Sequence, residues 1–517
     1  MSILLGIDVG TSSTKAVVID DRGGILGVAS ADHPSSTPLP GWSEQIPQDW
    51  WRSACEAVGR ALAQVDRSPA DVRGVGLSGQ MHGSVLMDAR TLAAKGERDD
   101  VLRPAILWND QRTAEQCRWI EDRAGGRAAL VQLVGNAALP GFTLPKWLWV
   151  REREPELWAR VAVAMMPKDY VRFRMTGQAA TDVGDGAGTL LLDVDQRAWS
   201  QRAVDLFGID PAILPAVLES GQVAGHLTGP GAAAMGLREG TPVVAGSGDN
   251  QCGAIGAGVV RSGMVLATLG TSGVVYAHAD EPRRDLTPES PGRVHTMCAA
   301  DGGGSLPRGH YSITGCTLSA GGALAWAREH VFGGADYAAL MREAASAPPG
   351  SEGLLFLPHL TGERCPYPDP TASGAWIGLT TRHTRAHMAR AILEGVAMTM
   401  ARILGIMRSI GVPATAGRLG GGGTRSPLWR EILTAALDIP TQEMETEEGP
   451  ALGAALLAGV GAGVWPGVAE ACEATIRARA QVDPNPSLAR RYREMAEILD
   501  AGYQGLRGPM ASLARIR

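Results

Sequence analysis

The segments LLGIDVGTSSTKAVVI, residues 4–19, and VLATLGTSGVVYAHA, residues 265–279, share one pattern: an apolar strand, a Gly-Thr-Ser turn and a second apolar strand. The turns Gly10-Thr11-Ser12 and Gly270-Thr271-Ser272 lie almost half of the 517-residue chain apart. Such an echo predicts two similar domains, each with a β-hairpin whose turn presents backbone N–H groups to a cleft. Clustered amides supply partial positive charge, and small residues let a phosphate approach them. The plainer alternative is that a three-residue string recurs by chance.

Outward from the first hairpin, the turn DRGG leads to a third strand, ILGVAS. The stretch from Pro47 to Val65 reads as a helix with Trp51, Cys55, Val58, Leu62 and Val65 on one face, and GVGLSG reads as a strand. Farther on, strand-like PAILW, VLATLG and VVYAHA alternate with helices near 111–122 and 317–331, and with a long helix from about 385 to 409. Strands interleaved with helices over the whole length argue an α/β fold.

Composition excludes several classes. With 45% hydrophobic and 20% charged residues the chain can bury a large core, and a net charge of −6 without a basic cluster argues against nucleic acid or an anionic membrane as partner. The seven cysteines are scattered, form no CxxC pair and suit a reducing cytosol. The start, MSILLGIDVG, has no basic stretch followed by a long apolar run, so no signal peptide is expected. Between Glu448 and Glu470 the chain carries no charge and is long enough to span a bilayer. Its glycines, with Pro450 and Pro466, instead predict a short buried Ala/Leu helix at about 450–458. Glycine is the outlier of the composition, 67 residues where ~7% is usual.

The commoner nucleotide and hydrolase motifs fail. None of the lysines at 15, 95, 146 and 168 follows a glycine, so there is no P-loop. Gly74 to Gly79 matches GxGxxG but runs on into strand-like QMHGSVLMD instead of a helix. The HTRAH pair, His383 and His387, lacks the glutamate of HExxH, and no GxSxG occurs. What remains are polar residues on glycine-rich turns. Asp8 ends an apolar strand beside GTS, where a carboxylate next to a phosphate turn calls for Mg²⁺ between them, directly or through water; a turn-capping aspartate is the plainer reading. Asp249 lies in VVAGSGDN, a mostly apolar stretch where a charge must be used or paired. It is the candidate base for an alcohol attacking a phosphoryl group, with an Asx-turn as the alternative. GGGG at 420–423, between a strand and the helix PLWREILTAAL, suits close approach of a nucleotide. Met81-His82-Gly83 and Trp108-Asn109-Asp110 follow strands and offer hydrogen-bonding groups and an aromatic face to a polyhydroxylated ligand; Trp108 is otherwise a core residue.

Taken in order, GIDVGTSSTK, GWSEQIPQDWW, GLSGQMHG, RPAILWNDQR, VVAGSGDN, LGTSGVVY, FLPHLTGER and GGGTRSPLWR resemble the FGGY family of carbohydrate kinases, most closely its xylulokinase branch. The resemblance implies two ribonuclease-H-like domains of the actin and hexokinase kind with a cleft between them. Residues 1–247 would form the sugar-binding N-terminal domain, 248–485 the nucleotide-binding C-terminal domain and 486–517 a helical tail. It implies ATP-dependent phosphorylation of D-xylulose to D-xylulose 5-phosphate, or of another ketose or polyol such as L-xylulose, D-ribulose or an alditol; a non-catalytic sugar sensor or ATPase clamp is the rival on the same scaffold. Asp249 then matches the catalytic base. Met81, His82, Trp108, Asn109, Asp110, Asp249 and Asn250 match sugar-lining positions, and Asp8 with Asp249 the magnesium neighbourhood. Gly10, Thr11 and Thr14 match the first phosphate turn, Gly270, Thr271 and Ser272 the second, and Gly421, Gly422 and Arg425 the nucleotide platform. The implied partners are a small-molecule ketose and ATP with Mg²⁺, in the cytoplasm, with no nucleic acid or membrane and with a homodimer compatible. Two stretches depart from the branch: GDGAG at 184–188 and AADGGGSLPRGH at 299–310.

Overall fold

The computed structural model describes residues 2–302, 309–446 and 448–516. In the N-terminal half, β1 (Ile3–Val9), β2 (Ser13–Asp20) and β3 (Ile25–Asp32) form an antiparallel meander, and α1 (Pro47–Leu62) packs on β2 and β3. The chain then returns as β4 (Val72–Gly79), parallel to β1. After α2 (Pro167–Thr176), strands β5 (Val223–His226), β6 (Pro242–Val244) and β7 (Ser247–Gly248) complete a sheet of order β5-β6-β4-β1-β2-β3, with β7 also on β4. The half closes with α3 (Asp249–Gly256).

The second half repeats the plan, as the echo predicts. Strands β8 (Gly263–Leu269) and β9 (Gly273–Ala279) form the second hairpin, followed by β10 (His295–Cys298) and β11 (Tyr311–Thr317). The long helix α4 (Arg385–Ser409) leads to β12 (Ala414–Gly420), parallel to β8; α5 (Pro427–Leu437) leads to β13 (Thr441–Met444), parallel to β12. Then come α6 (Gly449–Gly461), β14 (Ala478–Val482) and the terminal α7 (Pro486–Ala514), which packs on α4 and α5. Both halves therefore share a three-strand meander extended by parallel strands at the side of its first strand, the ribonuclease-H-like topology.

The terminal helices are exchanged. The uncharged stretch forms α6, buried from Ala451 to Gly459, and it lies on β1 and β4 of the other half. Gly6 and Gly76 are register partners there, and a Cβ on either would come within 1.9 Å of a carbonyl oxygen, that of Ala451 or Ala454. Helix α3 in turn shares a buried cluster with Leu266, Tyr276 and Met444 of the C-terminal sheet, and it crosses α6 backbone to backbone: a Cβ at Gly453 would meet the Cys252 carbonyl oxygen at 1.9 Å. Among the described residues no helix is long and apolar enough to cross a membrane.

This close approach predicts opposite outcomes for one substitution type. Gly76→Ala overpacks the β4–α6 contact at a cost of about 1–3 kcal/mol. Gly59→Ala, on the exposed side of α1 with no atom within 4 Å of its Cβ, gains about 0.5–1 kcal/mol of helix propensity. Thermal unfolding should show a lowered midpoint for the first and an unchanged or raised one for the second; equal shifts would contradict the packing.

Candidate active site

Asp249 is the first residue of α3, and the turn before it explains how it reaches the cleft. Gly246 has φ +72°, and a Cβ there would come within 1.9 Å of the Leu77 carbonyl oxygen, so only glycine lets VVAGSGDN press against β4 and then turn into the helix. Asp249 and its neighbour Asn250 line two adjoining cavities. One, of about 210 Å³, is walled by Met81, His82, Trp108, Phe142, Ser272, His295 and Arg364. The other, of about 360 Å³, runs along Thr268, Tyr276, Leu419, Gly420, Gly421, Thr424 and Glu443 to Gly449 and Pro450.

Apart from Asp249, the polar lining of the first chamber is neutral except for one cation, Arg364. His82 adopts φ +67°, and its carbonyl accepts from Lys146 Nζ (2.7 Å) and Thr143 Oγ1 (3.2 Å). Burial, reinforced by the Lys146 charge, holds its imidazole pKa well below the ordinary value. With Nδ1 3.2 Å from the Gly188 carbonyl oxygen, the neutral ring is the Nδ1–H tautomer, leaving Nε2 as an acceptor for a hydroxyl. Burial, with the Arg364 charge beside it, brings His295 down to about 3. Phe142 packs edge-on between the two rings, at 4.5 and 5.2 Å. Lys146 itself is lowered to about 7 by burial, partly offset by Asp110. Glu363 anchors Arg364 through its backbone N–H at 2.8 Å and is itself held by Thr317 Oγ1 at 2.6 Å.

Between the chambers two carboxylates come into each other's field. Burial, then repulsion from Asp8, pushes Asp249 up to about 7. Asp8 is raised by burial, against the influence of the nearby Ser78 hydroxyl and attraction to Lys15, and its Oδ1 is buried without a partner. Asp8 lines neither chamber, but its orphaned buried oxygen, with Asp249 close enough to feel its charge, fits a divalent cation whose remaining ligands would be phosphate oxygens and water. Lys15 reaches across to Glu448, 2.7 Å away at the start of α6.

The turns are tied to this site. Trp108 Nε1 donates to Thr11 Oγ1 at 3.0 Å, and Gln45 Nε2 donates to the Thr11 carbonyl at 2.6 Å. Gly10 N–H bonds the Ser13 carbonyl three residues on at 3.0 Å, and Gly270 N–H bonds that of Ser272 two residues on at 3.1 Å, so each turn is closed from its own glycine but the second more tightly. Beside the lining Gly421, the residues Gly422 and Arg425 lie exposed in the same short turn and do not line the nucleotide-sized chamber; nor does the exposed Thr271 line either.

Asp8, Gly10, Thr11 and Gly270 also line neither chamber, and three further sequence-derived candidates turn away from the cleft. Thr14 points inward from β2, fully buried, with its hydroxyl 2.8 Å from Ser53 on α1. Asp110 is also fully buried; it accepts from Arg112 and, at 2.6 Å, from the Ser43 N–H, which makes it part of the scaffold behind Trp108. Asn109 is exposed and lines neither chamber. Phe142, His295 and Arg364 were missed: they come from loops and strands far apart in the chain, and only the charged Arg364 in FLPHLTGER offered a signal. The described residues of the two departures from the branch line neither chamber. Gly188 backs His82, and Ala299 to Gly302 with Gly309 and His310 line neither cavity. Residues 303–308 of that stretch, including Gly303 and Gly304, are outside the described residues.

Comparison with known proteins gives the same outline. The family models described as the FGGY family of carbohydrate kinases, N-terminal domain and C-terminal domain, match residues 3–256 and 265–462. A xylulose kinase of Bacillus subtilis is 36% identical over 96% of both chains, and one of Escherichia coli 38% identical over 89% of this chain and 90% of its own. The crystal structure of a xylulose kinase from Rhodospirillum rubrum superposes with a TM-score of 0.86 at 29% identity, covering 98% of this chain and all of that one.

Proposed function

The chain belongs to the FGGY family of carbohydrate kinases, and from that premise we propose that it transfers the γ-phosphoryl group of ATP to the terminal hydroxyl of D-xylulose, giving D-xylulose 5-phosphate and ADP. The observation that carries this reading is that Asp249 and Asn250 are common to both chambers, so a carboxylate stands where a sugar in one meets a nucleotide in the other. The ketose occupies the chamber of Met81, His82 and Arg364; ATP lies along Gly420, Gly421 and Thr268. Asp249 accepts the hydroxyl proton, the freed oxygen bonds the γ-phosphorus, and the bond to the β–γ bridging oxygen breaks to release ADP. A pKa near 7 suits a group that must take up a proton at neutral pH. Backbone N–H groups of the two Gly-Thr-Ser turns stabilise the charge on the transferred group. Asp8 and Asp249 would hold Mg²⁺, which supplies charge neutralisation at the phosphates. A cytoplasmic location goes with seven free cysteines.

Mass spectrometry of product after incubation with ATP, Mg²⁺ and D-xylulose tests the reaction, and a coupled ADP assay over D-xylulose, L-xylulose, D-ribulose and alditols tests the preference. No advantage for D-xylulose in kcat/KM would reassign the substrate; ATP hydrolysis without any sugar phosphate would overturn the kinase. Arg364 should prove a sugar ligand. Loss of one charge-assisted hydrogen bond, about 1.5–3 kcal/mol, predicts that Arg364→Leu raises KM for the ketose about 10- to 150-fold with KM for ATP nearly unchanged. A larger change in KM for ATP than for the ketose would remove Arg364 from that role.

A further inference from the structure

We propose that His278, Asp301 and His310 form a binding site for one divalent transition-metal ion of the zinc type, on the C-terminal sheet and separate from the catalytic cleft. The three residues come from adjacent strands of order β10-β11-β9. His278 lies on β9, Asp301 follows β10, and His310 precedes β11. His278 is six residues from the Ser272 turn, roughly 20 Å along an extended strand, and none of the three lines either chamber.

His278 Nε2 lies 2.9 Å and His310 Nδ1 2.7 Å from the same oxygen, Asp301 Oδ2, and the three donor atoms all fall within 4.8 Å of one another. Among the described residues this is the one trio of histidine, cysteine or carboxylate side chains with that geometry. Its second mark is what it leaves unpaired. Asp301 Oδ1 and His278 Nδ1 are buried with no hydrogen-bond partner, and His278 is 1% exposed. A network evolved only for hydrogen bonding would spread two imidazole donors over two carboxylate oxygens; here both converge on one point and orphan the other oxygen.

With metal–nitrogen and metal–oxygen distances near 2.0–2.2 Å, ion entry would spread the ligand atoms to roughly 3.3 Å, a small opening of the present contacts. Two imidazoles and a carboxylate favour zinc, cobalt or nickel over the magnesium that accompanies ATP. The Asp280 carboxylate, 3.8 Å from His310 Nε2, would orient that ring from outside. The site also bears on the contact between halves. Arg197, from the N-terminal half and paired with Glu219, donates to the His310 carbonyl at 3.0 Å and to that of Ala299 at 3.1 Å. A bound ion would therefore tie Asp301 and His310 together beside the two carbonyls, of Ala299 and His310, that this arginine grips.

The full chain, stripped with a chelator and dialysed, is titrated with Co²⁺ in the presence of millimolar Mg²⁺. The expected result is visible d–d absorption that saturates at one Co²⁺ per chain and is displaced by Zn²⁺. It should be abolished in His310→Gln and Asp301→Asn, while Asp249→Asn binds normally. Zn²⁺ should also raise the thermal midpoint of the wild type but not of His310→Gln, whose circular dichroism and kinase activity report that it is folded. Absence of saturable Co²⁺ binding in the wild type, or binding equal in His310→Gln and the wild type, overturns the site and leaves a hydrogen-bonded trio.

Discussion

Replacing Asp249 by alanine should lower kcat by about 10²–10⁴, the range general-base assistance supplies, while calorimetric binding of the ketose stays within a few-fold of wild type. The split follows from the division of labour in the chamber. His82, Met81, Trp108 and Arg364 wall the first chamber independently of Asp249, so on the proposed reading the variant loses the proton acceptor and keeps most of the binding surface. It also relieves Asp8, whose charge contributes to the raised pKa of Asp249. Turnover within tenfold of wild type would remove Asp249 from the base role, and a parallel collapse of sugar binding would make it a binding residue instead.

The largest effect on stability is expected at Lys168→Met. Lys168 Nζ lies 2.6, 2.8 and 3.5 Å from carboxylate oxygens of Asp169, Asp182 and Asp185, and all four side chains are fully buried. Without it, Arg172, 2.9 Å from Asp169, is the remaining cation of the cluster. Breaking a buried pair from one side costs about 3–5 kcal/mol, and a thermal midpoint lower by roughly 6–20 °C follows at 2–4 °C per kcal/mol. Calorimetry or intrinsic fluorescence reads this directly; a midpoint within 2 °C of wild type would mean that the three acids are neutral or otherwise held. The cluster also serves the site. Asp182 Oδ2 accepts from Ser247 Oγ at 2.7 Å and from the Gly184 N–H at 2.8 Å, so the lysine fixes the strand end two residues before Asp249.

The parts of this architecture written in local strings were legible. Both Gly-Thr-Ser hairpins, the helix Arg385–Ser409 and the buried helix after Glu448 depend on neighbours a few residues apart, and periodicity finds them. Asp249 was legible for an energetic reason: an acid in an apolar, glycine-rich stretch demands a use. Direction within a string was not. In Trp108-Asn109-Asp110 the first side chain enters the cleft, the second faces solvent, and the third turns back to Arg112, because Asp110 is held by the distant Ser43 N–H and by an Arg112 that is itself paired with the distant Glu44. Thr14 failed for a related reason, since strand alternation carries it to the α1 side. The wall that Phe142, His295 and Arg364 give the first chamber is assembled by tertiary folding alone, and no spacing in the chain encodes it.

The exchange of α3 and α6 also has a consequence for how the protein is made. The sheet that carries Asp8 and the first Gly-Thr-Ser turn is complete once β7 has left the ribosome, yet the helix that covers its Gly6 and Gly76 face belongs to residues 449–461. At roughly 5–20 residues per second, the roughly 200 residues in between take about 10–40 s to synthesise. Throughout that interval a nascent sheet displays an uncovered apolar face, so the last stage of translation, and whatever shields the chain until then, decides the yield of folded enzyme.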